Sequence, residues 1–317
     1  MTGANGFIGR HLCRHLSAQG FQVRGTVRAG TDGARQPIEY RSSGNIDEHT
    51  DWRPLLVGVD AVVHAAARVH VLRESETDPL ATFRKVNVAG TQRLARQAAD
   101  ARVRRFVLLS SIKAREAERA APGAPGLDPY QISKWEAEVA LARAARDSGM
   151  ETVVLRPPLV YGPGAAANFA LLVRAVARGL PLPLARVRNR RSFLYVGNLC
   201  SAIEACLTHP AAAGGVFEVS DGPPISTPDF VRRIGAALGR PARLLPCPPG
   251  LLRLAGRLLG RSATVERLTG DLVADDRELR ERLGWRPPTD MAAALAETVA
   301  APPDGASSAL RAPVTYT

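Results

Sequence analysis

Through its first two thirds the chain alternates short apolar runs with stretches whose apolar residues recur every three or four positions. That is the pattern of βαβ units around a parallel sheet. The runs at residues 22–27, 61–64, 106–110 and 152–156 are each bounded by polar residues, Gly or Pro, and predict strands buried on both faces. Amphipathic spacing predicts helices over 8–19, 81–101 and 132–147. After Arg156 the texture changes to Pro-Pro and Pro-Gly punctuation, a helix near 168–178, a Pro-rich hinge at 180–184 and a return to the main sheet near 216–219. The pattern predicts a first domain over residues 1–160 and a smaller second part over 161–299 that returns in places to the first. Residues 251–259 are apolar at helical spacing with Arg253 and Arg257 between. They read as a helix of the smaller part, with a helix lying on a membrane surface as the alternative. From Ala300 the Ala/Pro/Ser composition lacks periodicity and predicts a disordered tail, 300–317.

Composition narrows the function classes. The 317 residues carry 42 Lys+Arg against 30 Asp+Glu, a formal charge of +12. Only Lys85, Lys113 and Lys134 are lysines, and the arginines run from Arg10 to Arg311 with no single helix or tail holding the excess. The charge therefore reads as general arginine usage, and no nucleic-acid partner is expected. No stretch reaches the ~18 consecutive apolar residues of a membrane span, and no signal-peptide pattern opens the chain, so a cytoplasmic protein is expected. Cys13, Cys200, Cys206 and Cys247 lack metal-ligand spacing and disulfide density, so no metal is expected and they read as buried thiols in a reducing compartment.

Gly3, Gly6 and Gly9 open the chain at a spacing of three and three, immediately before an amphipathic helix. Such a loop lets backbone pass close to a pyrophosphate, whose charge rests at the exposed N–H groups of the helix N-terminus, so it points to a dinucleotide. Only Met1 and Thr2 precede it, too few for a central strand of ~5 residues. The expectation is a truncated first strand and a natural chain that starts upstream. Where an acidic residue usually meets the adenine ribose at the end of the second strand, the sequence has Val27 and Arg28. A cation there suits a 2′-phosphate, which favours NADP over NAD; the alternative is a solvated arginine.

Tyr130 and Lys134 lie one helical turn apart, after the helix-start signal Asp128-Pro129. An ammonium beside a phenol favours phenolate and lowers its pKa from about 10, so the tyrosine can exchange a proton with a substrate hydroxyl. Ser110 and Ser111 close the preceding strand at the carboxyl edge, where open α/β sheets bind ligands, and Ser111 is placed to hydrogen-bond the same oxygen.

With these motifs the chain resembles the extended short-chain dehydrogenase/reductases, specifically the nucleotide-sugar epimerase/dehydratase/reductase group. The resemblance runs from Thr2 to about Trp285. It rests on the glycine loop, His64-Ala65-Ala66-Ala67, Asn87-Val88-Ala89-Gly90-Thr91, Leu109-Ser110-Ser111, the Tyr130/Lys134 pair and Leu155-Arg156-Pro157-Pro158 through Tyr161-Gly162-Pro163-Gly164. It implies a Rossmann doubly wound α/β fold with a smaller C-terminal substrate-binding domain, and a homodimer. It also implies that Gly3, Gly6, Phe7, Ile8 and Gly9 hold the pyrophosphate and that Asn45 and Ile46 flank the adenine. By the same resemblance Ala65, Ala66, Ala67 and Asn87 line the cofactor path, Lys134 reaches the nicotinamide ribose and Pro157 lies near the nicotinamide. Ser111 and Tyr130 serve the sugar oxygen that becomes a ketone. For the nucleotide half of a UDP-sugar it implies Asn168 and Arg191, the latter within the run Arg186, Arg188, Arg190 and Arg191, whose forked guanidinium groups suit a diphosphate.

Sugar 4,6-dehydratases carry an Asp-Glu pair where this chain has Ile112 and Lys113, so dehydration is not expected. Two reactions remain: NADPH-dependent reduction of a UDP-4-keto-6-deoxy-N-acetylhexosamine in polysaccharide biosynthesis, and 4-epimerisation of a UDP-sugar with bound NAD. Arg28 favours the reductase, with Lys113 as an added cation over the sugar. A non-catalytic NADP-binding sensor is the reading from another class.

Overall fold

The computed structural model describes residues 1–29, 33–35, 38–69, 78–121, 124, 126–165 and 167–301. All but the first two residues of the expected tail lie outside them. In chain order the strands are β1 (Val23–Val27), β2 (Gly33–Arg35), β3 (Ile38–Ser42), β4 (Ala61–His64), β5 (Arg105–Leu109), β6 (Glu151–Arg156), β7 (Leu159–Tyr161), β8 (Phe193–Tyr195) and β9 (Val216–Glu218). The helices are α1 (Phe7–Ala18), α2 (Arg53–Leu56), α3 (Pro79–Phe83), α4 (Gly90–Asp100), α5 (Ala114–Arg119), α6 (Pro129–Ala145), α7 (Ala167–Ala177), α8 (Val196–Thr208), α9 (Thr227–Ala237), α10 (Pro249–Leu258), α11 (Ser262–Thr269), α12 (Arg277–Leu283) and α13 (Met291–Ala300). A π-helical turn, Arg84–Ala89, joins α3 to α4.

The chain divides into two compact units, neither continuous in sequence. The first comprises Met1–Val160, Ser192–Pro223 and Val273–Pro288; the second comprises Tyr161–Arg191, Pro224–Leu272 and residues 289 onward. In the first unit β4, β5, β6 and β9 form a parallel sheet in that order, and β1 pairs in parallel with β3. Thr2 bridges the two groups, pairing in parallel with Thr26 of β1 and with His64 of β4. Its N–H donates to Val63 O at 3.0 Å, and the Thr26 N–H donates to Met1 O at 2.8 Å. The central position expected to lack its strand is thus held by a two-residue segment hydrogen-bonded on both sides.

Every residue of β5 is buried, and its side chains alternate between two cores. Val107 and Leu109 join Leu12, Cys13, Leu16, Leu199, Ile203 and Phe217, under α1 and α8. Phe106 and Leu108 join Leu94, Ala98, Ala137 and Leu141, under α4 and α6. That two-sided burial is the doubly wound α/β arrangement expected from the continuous apolar strands. Arg105 is buried at the start of β5, where its guanidinium donates to the carbonyls of Cys206, Leu207 and His209 and to Glu151. It satisfies carbonyls that the C-terminus of α8 leaves without intrahelical partners. Cys13, Cys200 and Cys206 are buried free thiols, while Cys247 is half-buried.

The second unit is helical, with α9 packed against α7 and α13, and α10 against α11. Tyr161, Phe169 and Phe230 form an aromatic cluster with ring centroids 5.6 to 6.1 Å apart.

Candidate active site

The glycine loop has the geometry that a passing anion needs. Gly3 has φ +69°, and a Cβ there would sit 3.0 Å from the Ala66 nitrogen. A Cβ on Gly9 would meet the Gly3 carbonyl oxygen at 2.0 Å, so only hydrogen lets α1 start this close to the turn. Gly6 caps α1 without a side-chain hydrogen bond, and no acidic residue occupies the first turn. The first N–H groups of α1, from Phe7, Ile8 and Gly9, therefore meet no carboxylate of the helix's own, and with the helix dipole they can accept a phosphate.

Around the loop, Ala65, Ala66 and Ala67 run half-buried beyond β4. Ile46 is half-buried with its Cγ2 against Gly90, where a Cβ would come within 2.6 Å. Asn45 is exposed, and its carbonyl accepts from Thr50 Oγ1 at 2.8 Å. Arg28 is exposed directly after β1, at the position expected to meet the adenine ribose.

Beneath this surface lies a buried relay that motif reading missed. The Ala66 N–H donates to Thr2 Oγ1 at 3.1 Å, Thr2 Oγ1 lies 2.7 Å from His64 Nδ1, His64 Nε2 lies 3.1 Å from Thr91 Oγ1, and Thr91 Oγ1 donates to Asn87 O at 2.6 Å. Because Thr91 spends its proton on Asn87, it can only accept from His64 Nε2–H; Nδ1 then accepts from Thr2. His64 is thereby a neutral imidazole of one tautomer. Burial first, then the Lys134 charge, pushes its pKa down to about 3. Asn87, buried in the π-helical turn, accepts from Arg68 N–H at 2.8 Å and donates to Arg68 O and to Ser133 Oγ, both at 3.0 Å. It ties the loop after β4 to α6, and π-helical turns recur at sites that need a side chain re-aimed.

Helix α6 presents the expected pair. Asp128 caps it by accepting from the Tyr130 N–H at 2.9 Å, Gln131 completes a capping box, and Pro129 occupies the first turn. Tyr130 is half-buried with the Ser111 hydroxyl hydrogen-bonded to its phenol and the Phe83 ring edge-on at 6.1 Å. Ser111 lies just beyond the carboxyl end of β5, and its Oγ accepts from the Lys113 N–H at 3.3 Å. Lys134 is buried, and its Nζ donates to the Leu109 carbonyl at 2.7 Å. Pro157 is buried, and its carbonyl accepts from Ile112 N–H at 3.0 Å.

One expectation changes here. The phenol is not lowered by the neighbouring ammonium: burial pushes Tyr130 up to about 12, only partly opposed by the Ser111 hydrogen bond. Burial likewise lowers Lys134 to about 8, opposed by the carboxylate of Glu138. Both groups lose water when the site folds, and each is driven toward its neutral form.

Glu138, one turn beyond Lys134, was not singled out by sequence reasoning. It is buried with Arg156, whose Nε donates to Glu138 Oε1 at 3.0 Å and whose Nη1 donates to Glu118 at 2.7 Å. The Ser110 hydroxyl also hydrogen-bonds Glu138, and the Trp135 ring lies 5.8 Å from the guanidinium carbon. Lys113 caps α5, with its Nζ 3.9 Å from Asp128.

The remaining two residues belong to the second unit. Asn168 lies in the first turn of α7, with its side chain outside the described residues. Arg191 is half-buried and donates to Gly270 O at 2.8 Å, and burial lowers its pKa. The arginine run divides by alternation. Arg186, Arg188 and Arg190 are exposed, while Asn189 is buried and donates to Thr227, Leu268 and Gly270.

Comparison with known proteins agrees with this geometry. The model of the NAD dependent epimerase/dehydratase family matches residues 1–220. The chain is 41% identical over 314 residues to the UDP-glucose 4-epimerase of Vibrio cholerae, covering 95% of this chain and 94% of that protein. It is 32% identical over 274 residues to the ceramide reductase of Caulobacter vibrioides, covering 82% and 76%. Among solved structures, MoeE5 in complex with UDP-glucose and NAD superposes with a TM-score of 0.72 at 25% identity, covering 94% of this chain and 96% of that one. With a glycine cradle, a Ser/Tyr/Lys group at the carboxyl edge of a parallel sheet and a family match over most of its length, the chain belongs to the NAD-dependent epimerase/dehydratase family of extended short-chain dehydrogenase/reductases.

Proposed function

We propose that this protein inverts C4 of a UDP-hexose, with a tightly held NAD. The observation that carries the reading is the Ser111–Tyr130 hydrogen bond with Lys134 one helical turn away, in a chain 41% identical to a UDP-glucose 4-epimerase over nearly its whole length.

The glycine turn fits the dinucleotide: a Cβ on Gly3 or Gly9 would collide with backbone of the turn and of the segment after β4 and force the turn open, and the first turn of α1 brings no competing acid. In this reading Gly3, Gly6, Phe7, Ile8 and Gly9 hold the pyrophosphate, Asn45 and Ile46 flank the adenine, and Ala65, Ala66, Ala67 and Asn87 line the path. Tyr130 and Lys134 bind the nicotinamide ribose and Pro157 borders the nicotinamide. NAD, when bound, supplies a reversible hydride acceptor at sugar C4 and a positive ring that favours phenolate. Tyr130 takes the proton of the 4-hydroxyl and returns it after the sugar has presented its other face. Ser111 orients that oxygen by hydrogen bonding, and Lys134 holds positive charge near the phenol. Asn168 and Arg191 bind the diphosphate of the substrate.

A second reading, NADPH-dependent reduction of a UDP-4-keto-6-deoxy-N-acetylhexosamine, is favoured by Arg28 where an acid would select NAD and by the reductase among the relatives. Lys113 then serves as an added cation over the sugar. Incubation of the purified protein with UDP-glucose or UDP-N-acetylglucosamine, with no added cofactor, separates the two. The epimerase reading expects the 4-epimer by NMR and NAD released on denaturation. Absence of epimer, together with NADPH consumption on a 4-keto sugar nucleotide, overturns it in favour of the reductase. Cofactor binding with neither activity leaves the non-catalytic sensor.

A further inference from the structure

Helix α10 leaves a leucine stripe bare. Leu251, Leu254 and Leu258 recur at helical spacing on one side and are 57%, 52% and 79% exposed, with Leu259 following at 72%. The opposite side is packed: Gly256 is buried, with Val265 of α11 so near that a Cβ would meet its Cγ2 at 2.7 Å. Arg253 and Arg257, both exposed, fall between the packed side and the leucine stripe, and Arg261 follows. Between Asp229 and Glu266 the chain carries seven arginines and no acidic residue. Isolated exposed leucines need no explanation, but a contiguous stripe edged by cations is the composition of a helix that lies in a lipid headgroup layer.

We infer that α10 docks this protein onto an anionic phospholipid bilayer, with its leucines entering the acyl boundary and Arg253, Arg257 and Arg261 meeting lipid phosphates. Charge selects this occupant. A second copy related by two-fold symmetry would bring Arg253, Arg257 and Arg261 face to face with their counterparts and with only Glu266, which shares a hollow with Arg253 and Arg257, to answer them, whereas an anionic surface complements all three. Length excludes insertion across the bilayer: ten residues rise about 15 Å against a hydrocarbon core of about 30 Å, so the helix lies in the surface plane. No described helix is long and apolar enough to cross a membrane.

The test is flotation of the full chain with vesicles of phosphatidylcholine containing about one-third phosphatidylglycerol, beside pure phosphatidylcholine. Flotation with the anionic vesicles only, falling as salt rises, is expected. Leu254→Glu with Leu258→Glu is expected to cut the bound fraction about ten-fold without lowering the thermal midpoint, because both side chains contact solvent in the free protein. Arg253→Gln with Arg257→Gln is expected to weaken binding and flatten its salt dependence. Failure to float with anionic vesicles overturns the inference, as does flotation that survives the leucine substitutions. A dimer seen by sedimentation velocity and abolished by those substitutions overturns it too, assigning the face to a second copy.

Discussion

Tyr130, Lys134 and Glu138 follow one another at four-residue intervals along α6, so each lies one helical turn from the next, and Glu138 acts on Lys134 across that turn. In the proposed reading Tyr130→Phe removes the proton carrier and one of several cofactor contacts, and is expected to lower turnover by about 10²–10⁴-fold while most of the retained nucleotide, measured by mass spectrometry, stays bound. Glu138 touches no reacting atom in this reading; it positions charge by opposing the burial that brings Lys134 down to about 8. Glu138→Gln keeps the shape and removes that support. The alkaline limb of the pH–rate profile, where Lys134 loses its proton, is then expected to move to lower pH by about one unit. A purely structural role would scale the rate at every pH and leave the limb in place. The Tyr/Lys spacing was legible because both members lie on one helix. Glu138 was not, because what buries it is Arg156, 18 residues away on the next strand, and pairing across elements leaves no local spacing.

At the scale of elements, the start of α1 shows how little tolerance the glycine turn has. Gly9→Ala places a methyl 2.0 Å from the Gly3 oxygen, so helix and turn must separate. A loss of about 1–3 kcal/mol in urea unfolding is expected, together with loss of retained nucleotide. The buried strands β1, β4, β5 and β6 and the helices α1 and α6 were readable because a sheet covered on both faces writes an uninterrupted apolar run, and a covering helix writes a period near four. β3 was not foreseen. Its exposed end carries Arg41 and Ser42, and it is a strand because β1 supplies its ladder partners. The π-helical turn at Asn87 was also invisible, since its extra residue aims one amide at Arg68 and Ser133 and changes no hydrophobic period.

At the scale of the molecule, the buried His64 relay couples the sheet to pH. Its folded pKa of about 3 lies below the ordinary 6.5, so over that interval the unfolded chain binds a proton that the folded one refuses. The stability this relay contributes is complete above pH 6.5 and is lost as pH falls. Between pH 6.5 and 5, above the range of ordinary carboxylates, unfolding free energy is expected to fall by about 1.4 kcal/mol per pH unit, and His64→Gln to remove that slope in urea titrations. The overall positive charge has no single purpose. Arg105 caps a helix, Arg156 holds Glu138, and the acid-free stretch around α10 faces solvent. By itself the sequence determined the doubly wound sheet, the tight glycine turn before α1 and the Tyr130/Lys134 pair, because each is encoded in spacings within one element or across one junction. Only the tertiary structure decided that Thr2 spans the central gap, that burial drives Tyr130 upward and Lys134 downward, and that Glu138 opposes that drive at the lysine. Desolvation and pairing between distant elements exist only once the chain has folded.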